Sequence, residues 1–141
     1  MTQAKKSKKK KDDSRKQSLM KKCDGRWSKL IKKRAGNRCE VDGCPNTNKL
    51  NAHHLFSRNN FSVRFDLDNG ICLCPSHHTL NSKFSAHKTP LDFDEWVKEK
   101  RWEERFDRLR RKANTIWDKD YEKVEKYLDD KEKELNESKD S

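Results

Sequence analysis

The sequence predicts an α+β protein, a small central domain set between a basic disordered arm and a helical tail. Three observations lead to this expectation. All five histidines (53, 54, 77, 78 and 87) and four of the five cysteines (39, 44, 72 and 74) fall within residues 37–87. After position 90, apolar residues recur mostly three or four apart, the period of one helix face. Hydrophobic residues make up only 30% of the chain and charged residues 42%, against about 45–50% (glycine counted) and about 25% in an ordinary domain. One core therefore cannot span all 141 residues, and the remainder must be solvated helix or disorder.

The elements follow in chain order. Residues 1–22 are Lys-rich and low in complexity, and disorder is expected there. In residues 25–35 (GRWSKLIKKRA), Trp27, Leu30, Ile31 and Ala35 stand at helical spacing, with Gly36 placed as a C-terminal cap. That segment reads as a short amphipathic helix lying on the domain that follows. Residues 50–56 (LNAHHLF) read as a strand at least half buried. Pro75 suits the first turn of a helix carrying His77 and His78. Further on, Asp92 as N-cap, Glu95 three residues later and a Leu91/Trp96 staple predict another helix start. Apolar positions 93, 96, 97, 102, 106, 109, 113, 116, 117, 121, 124 and 128 continue it, as one helix or as two with a break near Asn114-Thr115.

The expected organisation is an arm over 1–22, a domain with its preceding helix over 23–90, and an amphipathic tail over 91–141. Phe93, Trp96 and Val97 are expected to pack on the domain. Beyond Asn114 the apolar stripe is expected to serve self-association or a protein partner.

Charge is unevenly distributed. Residues 1–22 carry a net +8, residues 23–87 a net +5 and residues 88–141 a net −2. The first two regions would attract a polyanion. No apolar run follows the basic N-terminus and no stretch could span a bilayer, so a cytoplasmic protein with no membrane partner is expected. Five thiols, an odd number, then argue for metal ligation over disulfides.

Cys39-x4-Cys44 and Cys74-x2-His77 have the form of two knuckles sharing one structural zinc, an ion that favours four tetrahedral thiolate and imidazole ligands. So short a domain has little core of its own, and such a cross-link would supply much of its stability. Cys72 competes with Cys74 for the third position. Cys74 keeps the two-residue spacing to His77, which leaves Cys72 for packing and Cys23 as a stray thiol. Successive helical side chains diverge by about 100°, so His77 and His78 cannot readily serve one ion, and two sites are implied. His53 and His54 pose a converse difficulty. Neighbours on a regular strand point to opposite faces, so the strand must bulge or end there for both rings to reach one site.

The ordered set Cys39-x4-Cys44, Ala52-His53-His54, Asp68-Asn69-Gly70 and Cys74-x2-His77-His78 resembles the zinc-stapled branch of the HNH (ββα-metal) endonucleases, especially the small versions encoded by bacteriophages. The resemblance covers about residues 27–96 and implies a ββα-metal fold. It implies that His54 is the general base and His53 a ligand of a catalytic ion. Asn69 matches the residue that orients the loop and the base, and His78 matches a second ligand. His87, in FSAHK, matches the further ligand that some members place after the helix. The four-residue gap of the first knuckle and the closing His77 depart from the usual pair of two-residue knuckles. The family also implies 5′-phosphate and 3′-hydroxyl products, and the host cytoplasm as location if the chain is phage-encoded.

The residue chemistry is compatible with that expectation. A histidine of pKa near about 6.5 can deprotonate water close to neutrality, and a divalent ion can neutralise the phosphate. Only Asp66 and Asp68 are carboxylates near the histidines in sequence, which favours one ion over a carboxylate-bridged pair. The ion could be Mg²⁺, Mn²⁺, Ni²⁺ or Zn²⁺; imidazole ligands admit several, so the sequence does not choose among them. Arg58, Arg64 and Lys83 flank the histidines as candidate phosphate contacts for double-stranded DNA, and the Lys-rich arm would add salt-sensitive affinity. Two other readings stand beside this one. The first is a non-catalytic zinc module that binds DNA or protein. The second is a basic RNA-binding protein, which would need exposed aromatics for stacking, with Phe56, Phe61 and Phe65 as candidates.

Overall fold

The computed structural model describes residues 2–101 and 103–139. Met1 of the arm, position 102 of the tail's apolar series and residues 140–141 lie outside the described residues. Helix α1 (Thr2–Arg34) leads through a loop to β1 (Asn51–His54), α2 (Phe61–Arg64), a 3-10 turn (Leu67–Asn69) and β2 (Gly70–Leu73). A π-helical turn (Ser76–Leu80), α3 (Pro90–Arg101), α4 (Glu103–Ala113) and α5 (Tyr121–Lys139) complete the chain. The fold is α+β, with helices around one antiparallel pair whose register is Asn51↔Leu73, Ala52↔Cys72, His53↔Ile71 and His54↔Gly70.

Two strands are only marginally stable by themselves, and here both faces of β2 are covered. Side-chain alternation along the strand divides the core in two. On one face Cys72 meets Cys23, Trp27, Leu30 and Ile31 of α1, with Phe65, Leu67 and Leu128 closing the cluster. On the other face Ile71 and Leu73 meet Cys39, Cys44, Cys74, Ala86, Phe93 and Val97. Each fully buried aliphatic or aromatic side chain contributes about 1.5–3 kcal/mol, so two small clusters stand in for one large core. All five cysteines are free thiols and buried. Cys23 is thus a core residue, not a stray one.

α1 ends as its sequence predicts. Gly36 adopts φ +70°, its N–H donates to the Lys33 carbonyl at 3.0 Å, and the Asn37 N–H donates to the Lys32 carbonyl at 2.8 Å. This is the Schellman pattern. Its start differs from expectation, because the segment 1–22, expected to be disordered, is helical from Thr2. Lysine is a good helix former, and adding residues to a helix already nucleated by its docked C-terminal turns is cheap. Residues 8–18 are nevertheless exposed, so burial adds little to that stretch.

α3 also begins earlier than expected. The Phe93 N–H donates to the Thr89 carbonyl at 2.9 Å, which puts Thr89, not Asp92, at the N-cap and Pro90 at the first helical position, where its fixed φ is favourable. Leu91 is 81% exposed, so the Leu91/Trp96 staple does not form. Phe93 and Val97 are buried and Trp96 packs beside them, as expected.

The break near Asn114 is present, since α4 ends at Ala113 and α5 begins at Tyr121. Beyond it, the stripe expected to serve a partner is used within the chain. Tyr121, Val124 and Leu128 pack into the α1 cluster, and the Tyr127 hydroxyl accepts from the Leu67 N–H at 3.0 Å. Arg26 pairs with Asp129, and Lys33 donates to Asn136. Two half-apolar helices satisfy each other. No helix among the described residues is long and apolar enough to cross a membrane.

Candidate functional site

Two clusters of ligand atoms flank the π-helical turn. In the first, Cys39, Cys44, Cys74 and His77 bring their ligand atoms within 4.8 Å of one another. Cys74 Sγ lies 3.2 Å from His77 Nδ1 and 4.0 Å from Cys44 Sγ, and Cys39 Sγ lies 3.6 Å from His77 Nδ1. Zinc bonds of about 2.3 Å to sulfur and about 2.0–2.1 Å to nitrogen give a tetrahedron with edges of roughly 3.4–3.8 Å. The donor set and its spacing therefore fit a four-coordinate metal such as zinc. Burial pushes the Cys39 thiol up to about 12. For Cys74, burial opposes ionisation, but the His77 and Ser76 N–H groups and the neighbouring thiols outweigh it and hold the thiol below its usual value.

Cys72 takes no part in this cluster. It lies on the α1 face of β2, burial and then Glu40 push its thiol up to about 11, and its N–H donates to the Glu40 carboxylate at 2.7 Å. The choice between Cys72 and Cys74 thus falls to Cys74. The strand ends at Leu73, which frees Cys74 from the strand's alternation.

The second cluster is His53, His78 and His87, again with ligand atoms within 4.8 Å. The Nε2 atoms of His78 and His87 are 3.1 Å apart, and the His53 ring centroid lies 5.1 Å and 5.3 Å from theirs. His87 reaches the site because residues 86 and 87 return alongside the turn, with the Ala86 N–H donating to the His77 carbonyl and the His87 N–H to the His78 carbonyl. Burial, then the neighbouring imidazoles, pushes His53 down to about 3, and burial followed by His87 lowers His78. Neutral imidazoles are the form that binds metal. No carboxylate joins this cluster among the described residues. Asp66 and Asp68 face α4 instead, where Arg108 bonds both and Lys112 bonds Asp66.

His54 does not converge with the other three histidines. The ladder is regular through His54, so there is no bulge and His54 points to the face opposite His53. Its Nε2 is 3.0 Å from the Arg64 carbonyl, which can only accept. Nε2 therefore carries the hydrogen and Nδ1 the lone pair. Burial lowers the His54 pKa, only partly opposed by that hydrogen bond, so the neutral form is favoured. Trp27, legible in sequence only as a buried helix position, lies flat on this ring with centroids 3.9 Å apart and planes 10° apart. No spacing rule relates residue 27 to residue 54, so sequence reasoning had no signal for the contact.

Asn69 is fully buried and ties the β1–β2 connection together. Its Oδ1 accepts from the Phe56 N–H at 2.7 Å, and its Nδ2 donates to the Phe56 and Val63 carbonyls at 3.2 and 3.0 Å. Of the three expected phosphate contacts, Arg58 and Lys83 are exposed. Arg64 is not available for that role. It is 7% exposed, donates to both Asp24 carboxylate oxygens at 2.9 and 2.6 Å and bonds the Arg58 carbonyl at 3.0 Å. A buried guanidinium takes the nearest carboxylate, and α1 supplies one.

An antiparallel pair, a helical turn, a Cys/His clip and an imidazole cluster together define a ββα-metal domain. Residues 39–87 match the family model described as HNH endonuclease. No curated protein and no solved structure matches the chain. The family points to a nuclease or nucleic-acid-related function, with nucleic acid as the substrate class.

Proposed function

We propose that the protein is a metal-dependent endonuclease that hydrolyses phosphodiester bonds in double-stranded DNA, with His54 as general base. One observation carries the proposal: the His54 Nε2–H is committed to the Arg64 carbonyl, one residue along from a three-imidazole cluster able to hold a single divalent ion. His54 Nδ1 takes the proton of the water that attacks phosphorus. His53, His78 and His87 hold the ion through neutral nitrogens. Bound there, a divalent cation supplies positive charge to the phosphate and the leaving 3′ oxygen. Because His53 and His54 face opposite sides of the ribbon, the phosphodiester must cross the end of β1 to meet both. Asn69 keeps the 56–69 connection in place, and through it the Arg64 carbonyl. Arg58 and Lys83 contact flanking phosphates. The clip of Cys39, Cys44, Cys74 and His77 holds structural zinc and fixes the turn that presents His78.

The test is incubation of purified protein with supercoiled plasmid and Mg²⁺, Mn²⁺ or Ni²⁺. Nicked or linear DNA should form, disappear with EDTA, and fall by about 10²–10⁴-fold in His54→Ala, the usual contribution of a general base. Undiminished cutting by that variant defeats the mechanism. Intact plasmid together with one tightly bound zinc per chain favours a non-catalytic zinc module.

A further inference from the structure

Part of what holds His54 comes from outside the family-matched residues 39–87. Trp27, on α1, covers the imidazole face at 3.9 Å. The indole is itself fixed: its Nε1–H donates to the Asp66 carbonyl at 2.9 Å, and the residue is 2% exposed. Room for it is made by Gly70, the partner of His54 across the ladder. Directly opposed residues share one face of a ribbon, and a Cβ at position 70 would lie 2.5 Å from Trp27 Cζ2 and 2.4 Å from Ile31 Cδ1. The missing side chain and the indole are complementary. The same helix sends Asp24 to Arg64, whose carbonyl accepts the His54 Nε2–H.

We propose that Trp27 is a positioning residue for His54, its indole face setting the plane of the imidazole so that Nδ1 is aimed at the attacking water. The inference rests on His54 being the base, as proposed above. One hydrogen bond at Nε2 fixes a direction but leaves the ring free to turn about that axis. Stacking removes the freedom. A base must lie within about 2.6–3.2 Å of the group whose proton it takes, and a displacement of about 1 Å can cost on the order of a hundredfold in rate. Phenylalanine preserves a flat face at position 27, whereas leucine fills space without defining a plane.

The experiment compares parent, His54→Ala, Trp27→Leu and Trp27→Phe as full-length, zinc-loaded proteins on supercoiled plasmid with saturating Mn²⁺. It adds ¹⁵N-histidine spectra of each. Trp27→Leu should lower the single-turnover rate at saturating DNA by about 10- to 100-fold, with little change in the DNA concentration giving half-maximal rate. Trp27→Phe should recover most of that rate. The spectra should report the Nε2–H tautomer of His54 in all three, with one sharp Nδ1 resonance at the same position in the parent and in Trp27→Phe and a shifted or broadened one in Trp27→Leu, as the ring turns about its retained hydrogen bond. Should Trp27→Leu fail to fold, Trp27→Met, equally unable to define a plane, replaces it. Parental cutting by the aliphatic variant overturns the proposal, as does equal loss in both variants with an unchanged His54 Nδ1 resonance. If the parent itself leaves the plasmid intact, the nuclease reading fails separately, and the comparison of Nδ1 resonances still decides whether Trp27 sets the ring plane.

Discussion

His77 and His78 are consecutive, yet His77 Nδ1 lies 3.2 Å from Cys74 Sγ while His78 Nε2 lies 3.1 Å from His87 Nε2. One π-helical turn therefore presents a ligand to each cluster, and loosening the Cys/His clip displaces the imidazole site as well. Structural zinc in small domains contributes about 10–16 kcal/mol of apparent free energy, comparable to the total stability of about 5–15 kcal/mol for an ordinary domain. Cys74→Ser should lose its tightly bound zinc, melt at a clearly lower temperature and stop cutting DNA. Cys72→Ser should keep the zinc. Metal analysis with thermal unfolding checks both, and equal zinc retention by the two variants contradicts the ligand assignment.

Asn69→Ala removes three hydrogen bonds from a fully buried position. Leaving a buried polar group unpaired costs about 1–3 kcal/mol, and here the Phe56 N–H and carbonyl lose their Asn69 partner, while the Val63 carbonyl keeps the Asp66 N–H at 3.1 Å. A destabilisation of about 3 kcal/mol is expected by urea unfolding. Cleavage should fall as well, since the 56–69 connection carries the Arg64 carbonyl that holds His54. A stability change below about 0.5 kcal/mol, the level of an ordinary surface substitution, would argue against this role.

Asp66 supplies the pH dependence. Burial opposes its ionisation, but Arg108 and Lys112 outweigh burial and hold its carboxyl below the usual value. A carboxylate with a folded pKa beneath its unfolded pKa binds fewer protons when folded. Its stabilisation is therefore fully present above the unfolded value of about 3.9 and is lost as pH falls through the folded one. Urea unfolding of the parent and Asp66→Asn should differ most at neutral pH and converge below about pH 3.9. A difference that grows toward acid has the wrong sign for this linkage.

The three basic residues near the histidines should separate in salt titrations. Removing one phosphate-binding cation reduces the slope of log affinity against log salt by about 0.9 on duplex DNA. Arg58→Ala and Lys83→Ala should each show such a reduction without changing stability. Arg64→Ala should instead destabilise the fold by about 1–3 kcal/mol, because it strips the hydrogen bonds to the partly buried Asp24 and to the Arg58 carbonyl. A stable Arg64→Ala protein with a reduced salt slope would restore that residue to the DNA surface.

α5 can be probed through two apolar positions. Leu128 is fully buried against α1, while Ile116, in the preceding loop, is 96% exposed. Leu128→Ala should cost about 2–5 kcal/mol, and Ile116→Ala should stay within about 0.5 kcal/mol. Equal, small effects would mean that α5 is not docked in solution.

Much of the site is legible in the sequence because metal chemistry restricts ligands to a few residue types. Cys39, Cys44, Cys74 and His77 pair on spacing alone, and the divergence of His77 from His78 follows from helical rotation. Helix ends are less legible. Gly36 marks the end of α1 because a positive φ selects glycine. Asp92, by contrast, resembles a cap because a local capping pattern does not reveal that Pro90 has already begun the helix. Composition predicts disorder over 1–22, because it registers charge but not the docked helix that the segment extends.

The sequence by itself determined the inventory of donors and the order in which the Cys/His and the three-imidazole clusters are assembled, since residue type and short-range spacing are local properties. Only the tertiary structure decided where His54 faces, which carboxylate takes Arg64 and what covers the α5 stripe. Those outcomes depend on contacts between segments far apart in the chain: Asp24 meets Arg64 across 40 positions and Arg26 meets Asp129 across 103. Packing of that range is chosen by the whole fold, and no local pattern encodes it.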